Sequence, residues 1–382
     1  MNILFEFFDK EPIDNIITAL NYRVDKVVYY GYEEVMDKRK MSIDTFLKEN
    51  CGVLETVYRP ISHTTVSGTV EQLNKDINAE LAKGNNVFFD ATGGEDMALL
   101  SFGIVTAQLD VPIHKYDVLK NEIVTVKASQ RQEAIKKLAP QQNVRLNIDE
   151  LIRLQGGVVN YSMHKDQKNV EGDSLMEMEA LWDIAGRNSK KWNTFSEFLR
   201  GKAQRDGLSY TIRDRYSDEY ILSHQNRILL EELAKAGLVK DLQISKDEVT
   251  FTLKNDYVAS AILESGSILE EKVYQIEKAR PDCTDCKIGV HIDWDGVIHT
   301  GYGKDVLNEI DVLSLRGNIP VFISCKTGSV NQNALYELET VADRFGGAYV
   351  KKILAVSRSM SSGYKRRAED MGIEVLLVQG VE

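Results

Sequence analysis

The chain has 382 residues, of which 43% are hydrophobic and 27% are charged, an ordinary composition for a globular protein. Its formal net charge of −11 argues against a protein whose main role is to coat nucleic acid. The length predicts two or three domains, and no apolar run is long enough to cross a bilayer, so we expect a cytoplasmic protein without membrane segments.

Short apolar segments alternate with amphipathic segments in the first third of the chain. The expected strands are Asn2–Phe7, Lys26–Tyr30, Val53–Tyr58 and Asn86–Asp90. The expected helices are Glu11–Tyr22, Thr69–Lys83 and Asp96–Gln108. Strict alternation of strand and helix predicts right-handed βαβ units and a parallel, Rossmann-like sheet, in which ligands bind at the carboxyl ends of the strands.

A candidate ligand loop follows the fourth expected strand, where Thr92, Gly93 and Gly94 precede a helix that carries Met97 in its first turn. Two glycines let the backbone approach a phosphate closely, and the start of the helix offers unpaired amides. The spacing matches neither a dinucleotide fingerprint nor a Walker loop. A Gly-Gly turn that only packs a strand tightly against a helix explains the same residues equally well.

The pattern changes to helices and a hairpin over residues 145–260. Helices are expected at Ile148–Gln155, Ser174–Ala185, Thr194–Gln204 and Ser223–Ala236, and a hairpin is expected over Leu242–Leu253. Helix followed by hairpin is the outline of a winged helix. Because no basic recognition helix is present, a spacer or dimerisation element is favoured over a DNA-binding module.

A second hairpin is expected near the C-terminus, with strands over 310–313 and 321–326 and a turn at 316–318. It presents Asp311 and Lys326 among apolar, strand-forming residues. An acid and a lysine in this setting can hold a divalent cation and polarise a water, which is the equipment for metal-assisted hydrolysis of a phosphodiester. For these two residues taken alone, a structural ion pair is the simpler alternative.

The hairpin resembles the core of the PD-(D/E)xK nucleases, with Asp311 on one strand and Ser324-Cys325-Lys326 on the next. Ser324 stands where that family usually has glutamate. The resemblance implies that Lys326 orients the attacking water or stabilises charge on the phosphate. It also implies Mg²⁺ or Mn²⁺ bound by Asp311, and the candidates to replace the missing glutamate are Glu309 and a glutamate of the preceding helix, either Glu270 or Glu271.

The strand end Asp90-Ala91-Thr92-Gly93-Gly94, placed ahead of a PD-(D/E)xK-like domain, resembles the CARF-domain nucleases of type III CRISPR defence. The resemblance implies a homodimer whose paired CARF domains bind a cyclic oligoadenylate, usually the tetra-adenylate, and thereby switch on a nuclease. The ligand contacts it implies are Phe8, Asp9, Thr92, Gly93, Gly94 and Met97. Many members of that family carry lysine shortly after the glycines, whereas this chain has Glu95 and Asp96.

We therefore expect an α/β protein with a Rossmann-like CARF domain (1–144), a helical, winged-helix-like connector (145–260) and a PD-(D/E)xK-like nuclease domain (261–382). The expected function is metal-dependent cleavage of DNA and/or RNA, activated by the ring. One alternative is a ligand-responsive transcription regulator with a degenerate nuclease domain. Another is a housekeeping or restriction nuclease whose N-terminal domain binds no nucleotide. Lys351, Lys352, Arg358 and Lys365–Arg367 could form a basic track for the substrate backbone, and a solvated helix face explains them equally well.

Overall fold

The computed structural model describes residues 1–141, 144–162, 173–213, 221–264, 266–298 and 307–379. These residues form three β-sheets with helices packed around them. Within these ranges, no helix combines the length and the hydropathy that a bilayer crossing needs.

The N-terminal sheet has six strands in the order β3-β2-β1-β4-β5-β6. The strands are β1 Asn2–Phe7, β2 Lys26–Gly31, β3 Glu55–Pro60, β4 Asn86–Asp90, β5 Ile113–Asp117 and β6 Glu122–Lys127. The helices are α1 Ile17–Asn21, α2 Glu33–Glu49, α3 Ser67–Ala82 and α4 Asp96–Gln108. All pairs are parallel except β5 with β6, which confirms the Rossmann-like prediction. The strand order reverses between β1 and β4, which is where such sheets bind ligands.

The middle of the chain is a helical module with a four-stranded antiparallel sheet, ordered β10-β11-β9-β8. It follows α5 Ile148–Leu154 and β7 Val158–Val159. Its elements are α6 Asp173–Arg187, α7 Ser189–Lys202, β8 Gln204–Asp206, β9 Ser209–Arg213, α8 His224–Lys235, β10 Val239–Ile244, β11 Glu248–Leu253 and α9 Asp256–Leu263. The hairpin after α8 is confirmed, and two further strands extend it.

The C-terminal sheet has the order β16-β15-β14-β13-β12-β7. Its remaining elements are α10 Ser267–Lys278, β12 Cys283–Asp293, β13 Leu307–Arg316, β14 Ile319–Lys326, α11 Gln332–Phe345, β15 Lys351–Val356, α12 Ser362–Asp370 and β16 Ile373–Leu377. Strands β13 and β14 form the predicted hairpin, and Gly317 in its turn has a φ of +63°. Strand β7 joins the other edge by pairing with β12, so residues before the middle module contribute to this sheet.

Both faces of the C-terminal sheet are covered by other parts of the chain. On one face, Leu313 and Phe322 share a core with Leu4 and Phe46 of the N-terminal domain. On the other face, Ile323 belongs to the core of the middle module. Because the sheet is the common wall of two cores, the N-terminal domain and the C-terminal sheet are in direct contact.

Candidate functional site

The C-terminal hairpin brings Asp311, Ser324 and Lys326 together. Continuing the register of Val312 with Ile323 places Asp311 opposite Ser324. The Oδ2 atom of Asp311 accepts hydrogen bonds from the Cys325 amide at 2.6 Å and the Ser324 hydroxyl at 3.2 Å, and it lies 3.8 Å from Lys326 Nζ. The Asp311 side chain is 16% exposed and that of Lys326 is 37% exposed. The acid is therefore fixed by strand geometry while the lysine reaches solvent.

The other acids of the predicted metal site differ in where they lie. Glu309 is two residues from Asp311 on the same strand face, and its carboxylate is 3.8 Å from His291 Nε2. Burial, followed by the charges of Asp311 and Glu270, raises the pKa of the Cys325 thiol well above its ordinary value, so Glu270 lies near this strand end.

Glu271 is turned towards the middle module. Burial, followed by the charge of Glu271, raises the pKa of Tyr257 on α9, and burial raises the pKa of Glu271 itself to about 7. Its Oε2 atom is buried without a hydrogen-bond partner among the described residues. The structure therefore places Glu271 beside Tyr257 of the middle module.

The donor set suits a hard cation that keeps most of its water. Within the described ranges, His, Cys, Asp and Glu side chains form no group of three or more that could hold a metal ion. Asp311 and Glu309 offer carboxylates on one strand face, and Ser324 adds a hydroxyl. Mg²⁺ is commonly held by one or two carboxylates and completes its shell with water and phosphate oxygens. Asp311, Glu309 and Ser324 fit such an open site better than a closed site made of protein ligands alone.

Two residues that the sequence did not indicate lie beside the hairpin. The hydroxyl of Thr327, directly after Lys326, accepts a hydrogen bond of 2.9 Å from the Asn193 amide on α7. A helix of the middle module therefore contacts the chain directly after β14. The partners are 134 positions apart, and no local sequence pattern marks such a pair.

Part of the predicted basic track lies at the same end of the sheet as Lys326. Strands β14 and β15 are parallel and pair Lys326 with Val356, so Arg358 follows at the same edge. The Arg358 Nε atom is buried and has no hydrogen-bond partner in the part of the chain that the structure describes. Lys365 and Arg366 are exposed in the first half of α12.

Two other members of the predicted track are engaged in contacts of their own. Lys352 forms an ion pair of 3.1 Å with Asp343, and Arg367 stacks on Tyr336 with 5.0 Å to the ring centroid. The exposed Lys351 is the first residue of β15 and lies at the opposite end of the strand from Arg358. The cationic edge beside the hairpin is therefore formed by Lys326, Arg358, Lys365 and Arg366.

The predicted ligand loop lies at the switch point of the N-terminal sheet. Strands β1 and β4 pair Glu6 with Asp90, so the segments that follow them leave the sheet side by side. The Gly94 amide donates a hydrogen bond of 2.7 Å to Asp9 Oδ2. A Cβ on Gly93 would lie 2.8 Å from the Asp9 Cβ, and Gly94 has a φ of +124°. Both glycines are required by this close approach, whatever the loop binds.

Thr92 is held within the protein. Its hydroxyl accepts the Tyr116 amide at 2.8 Å and donates to Asp90, whose Oδ1 also accepts the Thr92 amide at 2.8 Å. Burial alone would raise the pKa of Asp90, but the charge and hydrogen bond of His114 and the hydroxyls of Thr18 and Thr92 hold it below its ordinary value. A buried carboxylate thus anchors the start of the loop.

The remaining two predicted ligand residues are placed differently. Phe8 is 2% exposed and packs edge-on against Tyr29 with 5.3 Å between ring centroids, so its side chain belongs to the core. Met97 is partly exposed in the first turn of α4. The structure brings Asp9, Gly93 and Gly94 to one surface.

Residues 259–379 match the family described as the Card1-like endonuclease domain. The C-terminal part of this chain is a Card1-like endonuclease domain. The Asp311–Lys326 hairpin lies within it, as do the basic residues beyond β15. No curated protein sequence matches the chain.

Solved structures share the fold of almost the whole chain. Protein VC1899 from Vibrio cholerae has a TM-score of 0.69 at 18% identity, covering 98% of this chain and 93% of its own. Can2 from Sulfobacillus thermosulfidooxidans, in complex with cyclic tetra-adenylate, has a TM-score of 0.64 at 16% identity, covering 98% and 95%. A type III CRISPR defence DNA nuclease activated by cyclic oligoadenylate has a TM-score of 0.51 at 13% identity, covering 94% of this chain and 46% of its own. The chain thus shares the fold of these proteins over nearly its whole length, and residues 259–379 carry the Card1-like endonuclease domain.

Proposed function

We propose that the protein is a cytoplasmic, metal-dependent endonuclease of CRISPR defence that a cyclic oligoadenylate, the tetra-adenylate ring, activates. The observation that carries this proposal is the pairing of Asp311 with Lys326, 3.8 Å apart, inside a Card1-like endonuclease domain. The likeness in fold to Can2, which was solved with the ring bound, supports the same ligand here.

The chemistry proposed for the hairpin is hydrolysis of a phosphodiester. Lys326 carries a positive charge to the exposed side of Asp311, where it can orient water or stabilise charge that develops on the phosphate. Asp311 and Glu309 would hold Mg²⁺ or Mn²⁺, with Glu270 near the same strand end. Such an ion, when bound, polarises the phosphate and lowers the pKa of water.

The proposed substrate is DNA and/or RNA, bound along the cationic edge. Arg358, Lys365 and Arg366 lie beyond the strands that carry Lys326 and Val356. These side chains can contact backbone phosphates on either side of the one that is cleaved. The overall negative charge of the chain confines such binding to this edge.

The proposed active form is a homodimer that binds one ring. A cyclic tetra-adenylate has two-fold symmetry, and two identical surfaces can contact its two halves equally. Helix α4 begins at the ligand loop and exposes an apolar face, on which Leu99, Leu100 and Ile104 are 40%, 54% and 37% exposed. A second copy of the chain that covers this face would bring the two Gly93-Gly94 loops together.

A cleavage assay tests the proposal. Purified protein is incubated with labelled single- and double-stranded DNA and RNA, with and without cyclic tetra-adenylate and with Mn²⁺, Mg²⁺ or a chelator. We expect cleavage of at least one substrate that requires both ring and metal and that Lys326→Ala abolishes. Cleavage that is equal with and without the ring would contradict activation, and cleavage by the Lys326→Ala protein would remove the assigned site.

Ser324 favours a second candidate, a ring-responsive regulator whose nuclease domain is degenerate. Ser324 has a neutral hydroxyl where the PD-(D/E)xK family usually has a carboxylate that binds the metal. This hydroxyl donates a hydrogen bond to Asp311. In this case, the wild-type protein binds the ring and nucleic acid but cuts neither DNA nor RNA. Recovery of cleavage in Ser324→Glu would identify the domain as a nuclease that has lost one ligand.

A further inference from the structure

The Gly94 amide at the ligand loop is already occupied by a carboxylate of the protein. Asp9 Oδ2 accepts this amide at 2.7 Å, in the way an oxygen of an anionic ligand would. Gly93 packs against the same segment, because a Cβ there would lie 2.8 Å from the Asp9 Cβ and 3.1 Å from the Asp14 Cβ. A phosphate that approaches this loop therefore meets a negative charge seated on the donor it would use.

The other oxygen of Asp9 holds the chain that follows it. Asp9 Oδ1 accepts the Glu11 amide at 2.9 Å, and Asn15 closes the turn by accepting from the Asp9 amide at 2.7 Å and donating to the Asp9 carbonyl at 2.8 Å. We refer to residues 9–15 as the bridging segment. One carboxylate thus connects the ligand loop to this segment, and movement of Asp9 releases both contacts.

The far side of the bridging segment touches the Card1-like endonuclease domain. Glu11 accepts the Ala348 amide at 2.7 Å, and the Tyr349 hydroxyl donates to Asp14 at 3.0 Å. Gly347 has a φ of +68°, and a Cβ on it would collide with the Glu11 carboxylate. The backbone of 347–349 is therefore shaped to receive these two acids.

The receiving loop is connected to the candidate active site. Residues 347–349 join α11 to β15, and β15 pairs with β14 so that its Val356 lies beside Lys326. On the α11 side, the Arg344 guanidinium donates to the carbonyl of Gln155 at 2.5 Å, and the Gln155 amide donates to Glu11 at 3.1 Å. The bridging segment thus bonds directly to Ala348 and Tyr349 of the receiving loop and is linked to α11 through Gln155.

We propose that Asp9 is an internal competitor of the ring, and that its displacement from the Gly94 amide changes how the bridging segment holds the 347–349 loop of the endonuclease domain. This inference rests on the proposed function, since it takes the ring phosphate as the displacing anion. Phosphate and carboxylate repel each other and cannot both use one amide, so favourable contacts of the ring elsewhere would have to offset the displacement of Asp9. In this proposal, ring binding disrupts the arrangement in which Asp9, Glu11 and Asp14 all accept hydrogen bonds.

If ring binding weakens the contact between the bridging segment and the endonuclease domain, then weakening that contact must strengthen ring binding by the same factor. The coupling can therefore be measured with a variant in the endonuclease domain. Tyr349→Phe removes only the hydroxyl that donates to Asp14, in a residue of the endonuclease domain. If the contact stabilises the ring-free arrangement, its loss tightens ring binding by up to roughly tenfold, the effect of one intramolecular hydrogen bond. Cleavage without the ring should rise as well.

The experiment compares full-length wild type, Asp9→Asn and Tyr349→Phe in labelled-ring binding and in cleavage with and without the ring. Asp9→Asn keeps the size of the side chain but leaves one oxygen to accept the Gly94 and Glu11 amides, since the amide nitrogen accepts neither. This variant should also bind the ring more tightly and cleave more in the absence of the ring. Two controls are matched to these variants. Glu95→Gln removes an exposed acid from the same loop. Tyr336→Phe removes a hydroxyl on α11 that accepts a hydrogen bond from Arg367, within the endonuclease domain.

Glu95→Gln is expected to change ring affinity through charge alone, with ring-free cleavage unchanged, and Tyr336→Phe is expected to change neither. Wild-type ring affinity in Tyr349→Phe would overturn the inference even if the wild type is a ring-activated nuclease. If the wild type binds the ring but cuts nothing, the ring affinity of Tyr349→Phe, compared with that of the wild type, still tests the inference. If the wild type does not bind the ring, the proposed function and this inference both fail.

Discussion

At the scale of single residues, Lys326 gives the cleanest test of the active site. Its side chain is 37% exposed and contributes no core packing, whereas Asp311 also accepts the Cys325 amide. Lys326→Ala should reduce cleavage by about a hundredfold or more while leaving the thermal midpoint unchanged, since it removes contacts made in the transition state. Asp311→Asn is the matched change for the acid, because it keeps an oxygen acceptor. The cleavage rate and the melting curve of the Lys326→Ala protein are both measured. Cleavage at the rate of the wild type would contradict the assignment.

Asp14 predicts a pH dependence of stability. Burial raises its pKa to about 7, the hydrogen bond from Tyr349 opposes the rise, and the charges of Asp9, Glu11 and Asp90 add to it. The unfolded side chain ionises near pH 4, so the folded state binds more protons between about pH 4 and 7. The free energy of unfolding should therefore fall as pH rises through this window and lose nothing more from Asp14 above it.

The variant Asp14→Asn checks this sign. Asparagine still accepts from Tyr349 but carries no charge, so it should stabilise the protein at pH 8 by on the order of 2 kcal/mol and have little effect at pH 5. Thermal unfolding at the two pH values measures the difference. An equal shift at both values would show that the charge of Asp14 is not the cause.

At the scale of secondary structure, the sequence located elements well where apolar positions repeat at helical or strand spacing. The bounds of α4 and the presence of the β13–β14 hairpin were predicted from such patterns and are confirmed, although both strands are longer than predicted. Helix α2 was not predicted, because its core contacts are Met36, Ile43, Phe46 and Leu47, and its first half is mostly charged. Helix α1 is shorter than expected, because the preceding residues form successive turns fixed by Asn15 bonding to Asp9.

The hairpin turn supports a prediction at this scale. Gly317 has a φ of +63°, a backbone conformation that strains any residue with a Cβ. Gly317→Ala should lower stability by about 1 kcal/mol, measured as a fall in thermal midpoint. Gly363→Ala is the control, because nothing lies within 4 Å of a Cβ there and the residue is helical. A midpoint for Gly317→Ala as high as that of the control would contradict the strain.

At the scale of the whole molecule, the arrangement of domains could not be predicted from local patterns. Ala348 and Glu11 are 337 positions apart, and their hydrogen bond arises only because the N-terminal domain and the C-terminal sheet share a core. The pairing of Asn193 with Thr327 is of the same kind. The acid and lysine of the hairpin were identifiable because strand spacing places them together, whereas the residues between the two sites have no such signature.

The proposed dimer can be tested through the apolar face of α4. Leu100 is 54% exposed, and glutamate at this position would bury an unpaired charge if a second chain covers the face. Leu100→Glu should therefore be monomeric by light scattering and bind the ring at least about a hundredfold more weakly, since each chain would contact only half of it. Leu119→Glu is a matched control, being 66% exposed in the β5–β6 turn of the same domain, and it should remain dimeric with wild-type binding.

Calorimetry on the wild type should give one ring for two chains. A stoichiometry of one ring per chain, or a Leu100→Glu protein that stays dimeric and binds normally, would place the ring and the partner elsewhere.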